Sequence, residues 1–539
     1  MLRRNFIRVL AGSAIFSWTG FRSRKAVATE ISFAHGVASG DPLSDSVVIW
    51  TRISGLTNHS IAVRWSLASD PEMKQLVREG VANTNAERDY TVKVDADRLP
   101  AGQYLWYQFK VDGVTSPVGR TRTLPVGSVN AAKFAVVSCS NFSYGYFHAY
   151  REIANRDDLD AVIHLGDYIY EHGLGEYATE RAETLGRVPE PPTELLTLDD
   201  YRRRHAQYKA DEDSIAMHTR HPLIAIWDDH EICNDGWRAG ALNHQEDEGS
   251  WESRRDAAIQ AYLEWMPIRA GHDREHTKIY RTFRFGDLLS LIMLDTRFYG
   301  RDQQPDVGKD VTPDSVAHAM QDPERRVLGR RQEAWLRESL SNAVDATWQI
   351  IGQQVLVSPL RSADLEPLLD REKESMLTPE YLDQITELSK DNPPVLLDTW
   401  DGYPVARQDF LEDISAIAPN PVILSGDLHM SLAGNLIPSG FEKPVAVEFM
   451  TGSVSSPGFA EYLPEKKPGA LRDATLELNQ NLFYMETDRR GWMCLNVTHE
   501  TCTAEWHLLD TVHAQEYSSV IDQCLAVRAG RMSDGIYEA

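Results

Sequence analysis

Four apolar runs in this chain end alike, each giving way to a glycine or polar turn crowded with side chains that hold protons and cations. They finish in SCSN (Ser138 to Asn141), GDYIY (Gly166 to Tyr170), WDDHEICND (Trp227 to Asp235) and SGDLH (Ser425 to His429). The second run, Ala161-Val162-Ile163-His164-Leu165, has the length and β-branched content of a buried strand, and Gly166 stops it. In α/β sheets the loops beyond strand carboxyl ends meet in one crevice, so residues distant in sequence converge there. Each ending alone has an ordinary explanation. Asp167 can cap a helix, Tyr170 can pack, Asp228 to Glu231 can form a solvated turn, and Cys139 and His429 can be buried core residues. Their recurrence in one context favours a shared site.

The rest of the pattern agrees. Phe134 to Val137, Ala161 to Leu165, Leu223 to Trp227, Leu288 to Leu294, Gln349 to Val357 and Val422 to Leu424 read as buried strands. Helical stretches lie between them, such as Trp251 to Pro267, with Ala258, Tyr262 and Trp265 on one face and Pro267 at the end. This alternation predicts an α/β domain over residues 130–510. Ahead of it, Phe33 to Thr123 shows short alternating runs broken by Pro-Ala-Gly and Asp-Gly turns. That texture predicts a small all-β sandwich of immunoglobulin or fibronectin-III type over residues 29–126, with Trp50, Trp65 and Trp106 in its core. A chain of 539 residues exceeds one ordinary core, which suits two domains. Thr193 to Arg220 and Asp302 to Arg326 read as polar insertions or covering loops, and the tail over 511–539 as carrying a short helix at SSVIDQCLAVRAGR.

Charge excludes one class of partner. A formal balance of −25, from 55 basic and 80 acidic residues, argues against nucleic acid held through its phosphates. The leader, residues 1–28, carries Arg3-Arg4 followed by Phe6 and Ile7, a modest apolar stretch, and Ala26-Val27-Ala28 as a cleavage site. It resembles a twin-arginine export signal, which implies the twin-arginine machinery as a partner and a periplasmic or secreted protein. The alternative, a membrane anchor, needs an uninterrupted span of about 20 residues, and Arg8 breaks a shorter run. Five cysteines, an odd number, leave at least one thiol free; Cys494 and Cys502 lie in one candidate hairpin close enough in sequence to pair, while Cys233 and Cys524 read as unpaired.

Gly-Asp-x-x-Tyr, Asp-His-Glu and Gly-x-x-His, in that order, resemble the calcineurin-like metallophosphatases. The departures from that superfamily's usual motifs, Ser138-Cys139-Ser140, Asp229 before His230 and Asp427-x-His429, are similar to the PhoD-like alkaline phosphatases. So are FAHGVASGDP (Phe33 to Pro42), VVIWTR, LDTRFYGRDQQ (Leu294 to Gln304), DTWDGYPVAR (Asp398 to Arg407) and MTGSVSSPG (Met450 to Gly458). The resemblance covers nearly the whole chain after the leader. It implies a metallophosphatase-type β-sandwich core flanked by helices, an iron and calcium pair, and metal roles for Cys139, Asp167, Tyr170, Asp229, Asn234, Asp427 and His429.

The donor types support those ions. Thiolate, phenolate, carboxylate and imidazole from Cys139, Tyr170, Asp167 and His429 suit a trivalent iron, because calcium avoids sulfur. Asp229, Asn234 and Asp427 offer only oxygen, a set for calcium, with Asp167 bridging; Asn234 read alone is equally a turn residue beside Asp235-Gly236. An anionic ester repels an anionic nucleophile, so the expected reaction is in-line attack by a metal-bridged hydroxide, with His230 protonating or steadying the departing alkoxide. Arg301 and Arg407 are candidates to orient phosphate, or else surface ion pairs. Trp400, Tyr403 and Phe298 line an entrance or pack. The implied function is an alkaline phosphatase. A phosphodiesterase or phospholipase D-type activity is the alternative within the class, and a metal-stabilised β-sandwich binding protein the alternative outside it.

Overall fold

In the computed structural model, residues 30–55, 60–269, 278–305, 313–373, 375–390, 392–394 and 396–539 are described; the expected export leader lies outside them. The strand Leu289–Met293 shows how the layers arise. Side chains of a pleated strand alternate between faces, and here both faces are apolar. Leu289, Leu291 and Met293 join the core that contains Phe134 and Phe285, while Ile292 and the following Leu294 pack with Leu336, Leu340, Phe410 and Ile414. Those last four come from the helices Gly329–Ser341 and Pro404–Ile417.

Two large sheets face each other across the first of these cores, where Phe134 meets Phe285 edge to face at 5.0 Å. The seven-stranded sheet has a parallel centre of Leu289–Met293, Trp348–Gly352, Pro421–Ser425 and Ala446–Met450. The ten-stranded sheet has Ala131–Val137, Ala161–His164 and Leu223–Ala225 in parallel, Val162 standing opposite both Ala135 and Leu223. Helices including Leu198–Lys209, Glu212–Arg220 and Trp251–Trp265 bury Tyr201, Met217 and Ala258 against the same core. The result is an arrangement of helices, two sheets and helices, with strand carboxyl ends gathered at one side.

The amino-terminal segment does not stand apart. Val37–Gly40, Val47–Arg52 and Thr91–Ala96 form one end of the ten-stranded sheet, joined through Gly40 opposite Leu223. A five-stranded sheet that includes Ile61–Ala68, Leu76–Thr84 and Tyr104–Val111 covers this end. Val47, Ile49, Val63, Leu105 and Phe109 fill the space between them as a separate apolar cluster. Two layers face each other here, and one of them belongs to the larger sheet. Trp50 points the other way, onto Trp265, and Trp106 is only partly buried, not a core residue. Buried Asp41 ties the regions together through Arg281, 2.5 Å away.

Two further expectations are corrected and one open pairing is answered. The carboxyl-terminal segment is not a helix: Ser519–Arg528 is a strand paired antiparallel with Thr501–Leu509, and Tyr537–Glu538 follows as the sheet's edge. Its buried residues, Leu525 to Val527, fit a strand whose outer half projects past the core. The polar stretch from Thr193 to Arg220 is largely two helices, the first closed by a capping box between Thr197 and Asp200. All five cysteines are free; Cys494 and Cys502 do lie in a hairpin, but opposite Glu505 and Val497. No helix among the described residues is long and apolar enough to cross a membrane.

Candidate metal centre

Five of the parallel strands at the heart of the two sheets deliver loops to the same place. Beyond Ala131–Val137 comes Cys139, beyond Ala161–His164 come Asp167 and Tyr170, and beyond Leu223–Ala225 come Asp228 to Glu231. The opposite sheet contributes Arg297 after Leu289–Met293 and Asp427 with His429 after Pro421–Ser425. Four of these side chains hang from left-handed backbone: φ is 60° at Cys139, 55° at Asp167, 69° at Asp427 and 57° at His429. Non-glycine residues there cost about 1–3 kcal/mol each where sparsely allowed, and glycine would relieve it without supplying a donor. Gly166, at φ 114°, meets the opposite constraint: a Cβ would come within 2.3 Å of the Asp228 Cβ. Glu231 fixes the two loops. Its Oε2 accepts from the Asp167 N–H at 3.0 Å and the Asp228 N–H at 2.8 Å, and its Oε1 from the Tyr168 N–H at 2.6 Å.

Cys139, Asp167 and His429 place ligand atoms within 4.8 Å of one another. The Tyr170 hydroxyl donates to Asp167 Oδ2 at 3.0 Å and lies 3.0 Å from His429 Nε2, while Ser456 donates to it at 2.7 Å. His429 Nδ1 lies 2.8 Å from the Pro457 carbonyl, which accepts its N–H and leaves the Nε2 lone pair facing the cluster. Burial holds that ring neutral, with a pKa of about 3. Burial, then the charge of Asp167, pushes the Cys139 thiol and the Tyr170 phenol well above their usual ranges. Only a strongly charged cation would make both anionic.

The second group is all oxygen. Asp167, Asp228, Asp229 and Asp427 also place ligand atoms within 4.8 Å of one another, so Asp167 belongs to both sets. Its Oδ1 is buried without a hydrogen-bond partner. Burial and mutual repulsion push Asp167 and Asp427 well above the carboxylate range and Asp228 up to about 6. The fully buried Arg297 offsets part of this charge: it contacts Asp228, bonds Asp398 at 2.5 Å and Asp427 at 3.2 Å, and approaches Asp229 at 3.6 Å. One guanidinium does not relieve the repulsion among so many acids, and the donors fit two cations of different character sharing Asp167.

His230 stands at the rim of this cluster, its Nδ1 2.7 Å from Glu171 Oε2 and its ring 4.2 Å from that of Tyr170. Burial favours the neutral ring, but Glu171 first, then Asp167 and Asp229, outweigh it and hold its pKa well above normal. Tyr177 stacks parallel to it and touches Tyr462, closing the top. Asn234 lines the same crevice, its N–H donating to Glu171 Oε1 at 2.7 Å. Arg301 and Arg407 do not line it. Arg301 is buried behind, bonded to Asp398 at 2.5 Å, so it is no surface ion pair; Arg407 pairs with Asp401. Trp400, Tyr403 and Phe298 are core side chains, and His164 is buried on Tyr150 at 2.9 Å.

Arg297, Glu231, Asp398 and Ser456 escaped assignment from sequence, although each lies in a quoted motif. Arg297 carried the same signal as the four endings, a charged turn closing an apolar strand, but with the opposite sign.

Known proteins bear on this arrangement. The PhoD-like phosphatase family matches residues 134–506, and the PhoD-like phosphatase N-terminal domain matches residues 20–125. Alkaline phosphatase D of Bacillus subtilis (strain 168) is 34% identical over 496 residues, covering 89% of this chain and 78% of that one. A solved structure of PhoD superposes with a TM-score of 0.80 at 31% identity, covering 94% of this chain and 92% of the other. With its paired donor groups on that fold, this chain belongs to the PhoD-like phosphatase family, and with it to the phosphoric ester hydrolases.

Proposed function

We propose that the protein is an exported alkaline phosphatase releasing inorganic phosphate from esters. Iron(III) would be held by Cys139, Asp167, Tyr170 and His429, and calcium by Asp167, Asp229, Asn234 and Asp427. The observation that carries this reading is the double membership of Asp167, with Oδ1 orphaned inside a hollow of carboxylates. Such cations, when bound, neutralise the ester's charge and acidify a water. The protein's own part is to position and to move a proton. His230, held protonated by Glu171, stands where it donates to the departing alkoxide oxygen. Arg297 keeps Asp228, Asp229 and Asp427 oriented from behind, and Tyr177 with Tyr462 limits water at the rim.

The test is hydrolysis of p-nitrophenyl phosphate beside bis(p-nitrophenyl) phosphate, with metal content measured on the same sample. Turnover of either establishes the reaction, their ratio ranks monoester against diester, and turnover of neither in metal-replete protein sinks the reading. The diester alternative gains support from room: the crevice beside the carboxylates encloses about 560 Å3. Export through the twin-arginine machinery is supported by the leader; replacing Arg3 and Arg4 by lysine should strand activity inside the cell.

A further inference from the structure

We infer that the crevice selects phosphate esters bearing a long apolar arm, an alkyl or aryl chain that lies against the apolar part of its lining. The inference rests on the phosphatase reading and specifies its substrate class. The crevice has two unlike ends. Asp167, Asp229, His230 and Asp427 line one, and Leu365, Leu377, Ile385, Phe459, Leu463 and Leu471 line the other. Its volume of about 560 Å3 falls in the range of about 300–1,000 Å3 that takes an organic ligand of drug size, far more than a phosphoryl group alone requires.

The wall is built from two separate stretches of chain. One carries Leu365, Leu377 and the helix Pro379–Ser389, the other the helices Phe459–Tyr462 and Ala470–Leu478. They hold each other through an apolar cluster of their own, Leu365, Leu369, Leu382, Leu463 and Leu471. Hydrogen bonds fix the seam: the Asp370 N–H donates to the Pro464 carbonyl at 2.8 Å and the Ser375 hydroxyl to the Tyr462 carbonyl at 2.6 Å. In front of that cluster, Leu377, Ile385 and Phe459 remain only partly buried, apolar surface presented to the crevice. Preformed surface of this kind binds an apolar chain without first ordering itself.

Polar substrates find little there. Arg361 is the sole arginine or lysine among the described lining residues, and its Nε already donates to the Asn392 carbonyl at 3.1 Å. A second phosphate here would meet one guanidinium at most, which disfavours it against an apolar arm. An apolar arm loses nothing by leaving water.

The probe is a series of alkylphosphonates, methyl to octyl, whose carbon–phosphorus bond is not an ester. Binding to the metal-loaded full chain is measured by calorimetry below the micelle concentration. Affinity should climb about threefold per methylene until the wall is covered, reaching at least about 100-fold between methyl and octyl. Affinities for methyl and octyl within threefold of each other overturn the inference. Ile385→Gln and Phe459→Ser change partly buried side chains on different elements, so each should fold. Both should cut the octyl-to-methyl ratio at least tenfold; an unchanged ratio in both overturns the placement. Binding needs no turnover, so a protein that prefers octylphosphonate yet hydrolyses no p-nitrophenyl ester keeps the apolar wall and loses the phosphatase reading instead.

Discussion

The two donor groups around Asp167 share a carboxylate and little else. One side, with Cys139, Tyr170 and His429, is soft, and its thiol and phenol stay neutral until a cation displaces their protons. The other, with Asp228, Asp229 and Asp427, is hard, its crowded carboxyls raised by burial and mutual repulsion and steadied by a buried guanidinium. The difference teaches that one site can favour two unlike cations by different means: the soft side by the chemistry of its atoms, the hard side by the mutual repulsion of crowded acids that a cation would relieve.

That contrast can be broken experimentally. If Asp167 is the proposed shared ligand, Asp167→Ala should release both ions together and lower kcat/KM for bis(p-nitrophenyl) phosphate at least about 10,000-fold. Loss of only one ion by elemental analysis would refute the sharing. His230→Gln should lower kcat about 100- to 10,000-fold with both ions retained, the deficit growing as the leaving group becomes more basic. A uniform deficit across leaving groups would assign His230 to positioning. Tyr170→Phe should abolish a visible tyrosinate-to-iron band while calcium stays, with activity reduced on the order of 100-fold; an unchanged band would remove Tyr170 from the soft side. A calcium chelator should do the converse, keeping the band while activity falls and returns on adding calcium. Smallest in activity but large in stability, Arg297→Met should cost the metal-free protein about 3–5 kcal/mol in denaturant unfolding by leaving buried acids unpaired. Excess calcium should recover much of it; equal destabilisation with and without calcium would mean that the guanidinium and the ion do not share a field.

Much of this architecture was legible because short-range rules governed it. The strands at Ala161, Leu223 and Leu289 are apolar on both faces, as interior parallel strands must be, and Trp251–Trp265 begins and ends near its sequence signals. Donors at their ends converged because the sheets are parallel where those loops leave. What stayed hidden depended on partners remote in sequence. Nothing local says that Val37–Gly40 joins Leu223, or that Val520 and Ile521 sit on a projecting strand when the same residues suit a helix face. Arg297 could not be paired with Asp228, Asp398 and Asp427 until three loops were seen together, and the wall formed by Leu365 and Leu471 is likewise a property of two distant stretches meeting.

The ten-stranded sheet sets the timetable of assembly. Ala131–Val137, which presents Cys139, has Arg490–Thr498 as its neighbour on one side, and that strand leans in turn on Thr501–Leu509 and Ser519–Arg528. At the other end of the sheet lie strands made near the beginning of synthesis. A ribosome therefore releases nearly the entire chain before the strand bearing Cys139 can be flanked on both sides, and pairings of such long range form slowly. Until then its unpaired edge is open to other chains. Newly made protein passes through an interval in which its acidic and cysteine-bearing loops are chemically present but not yet a site.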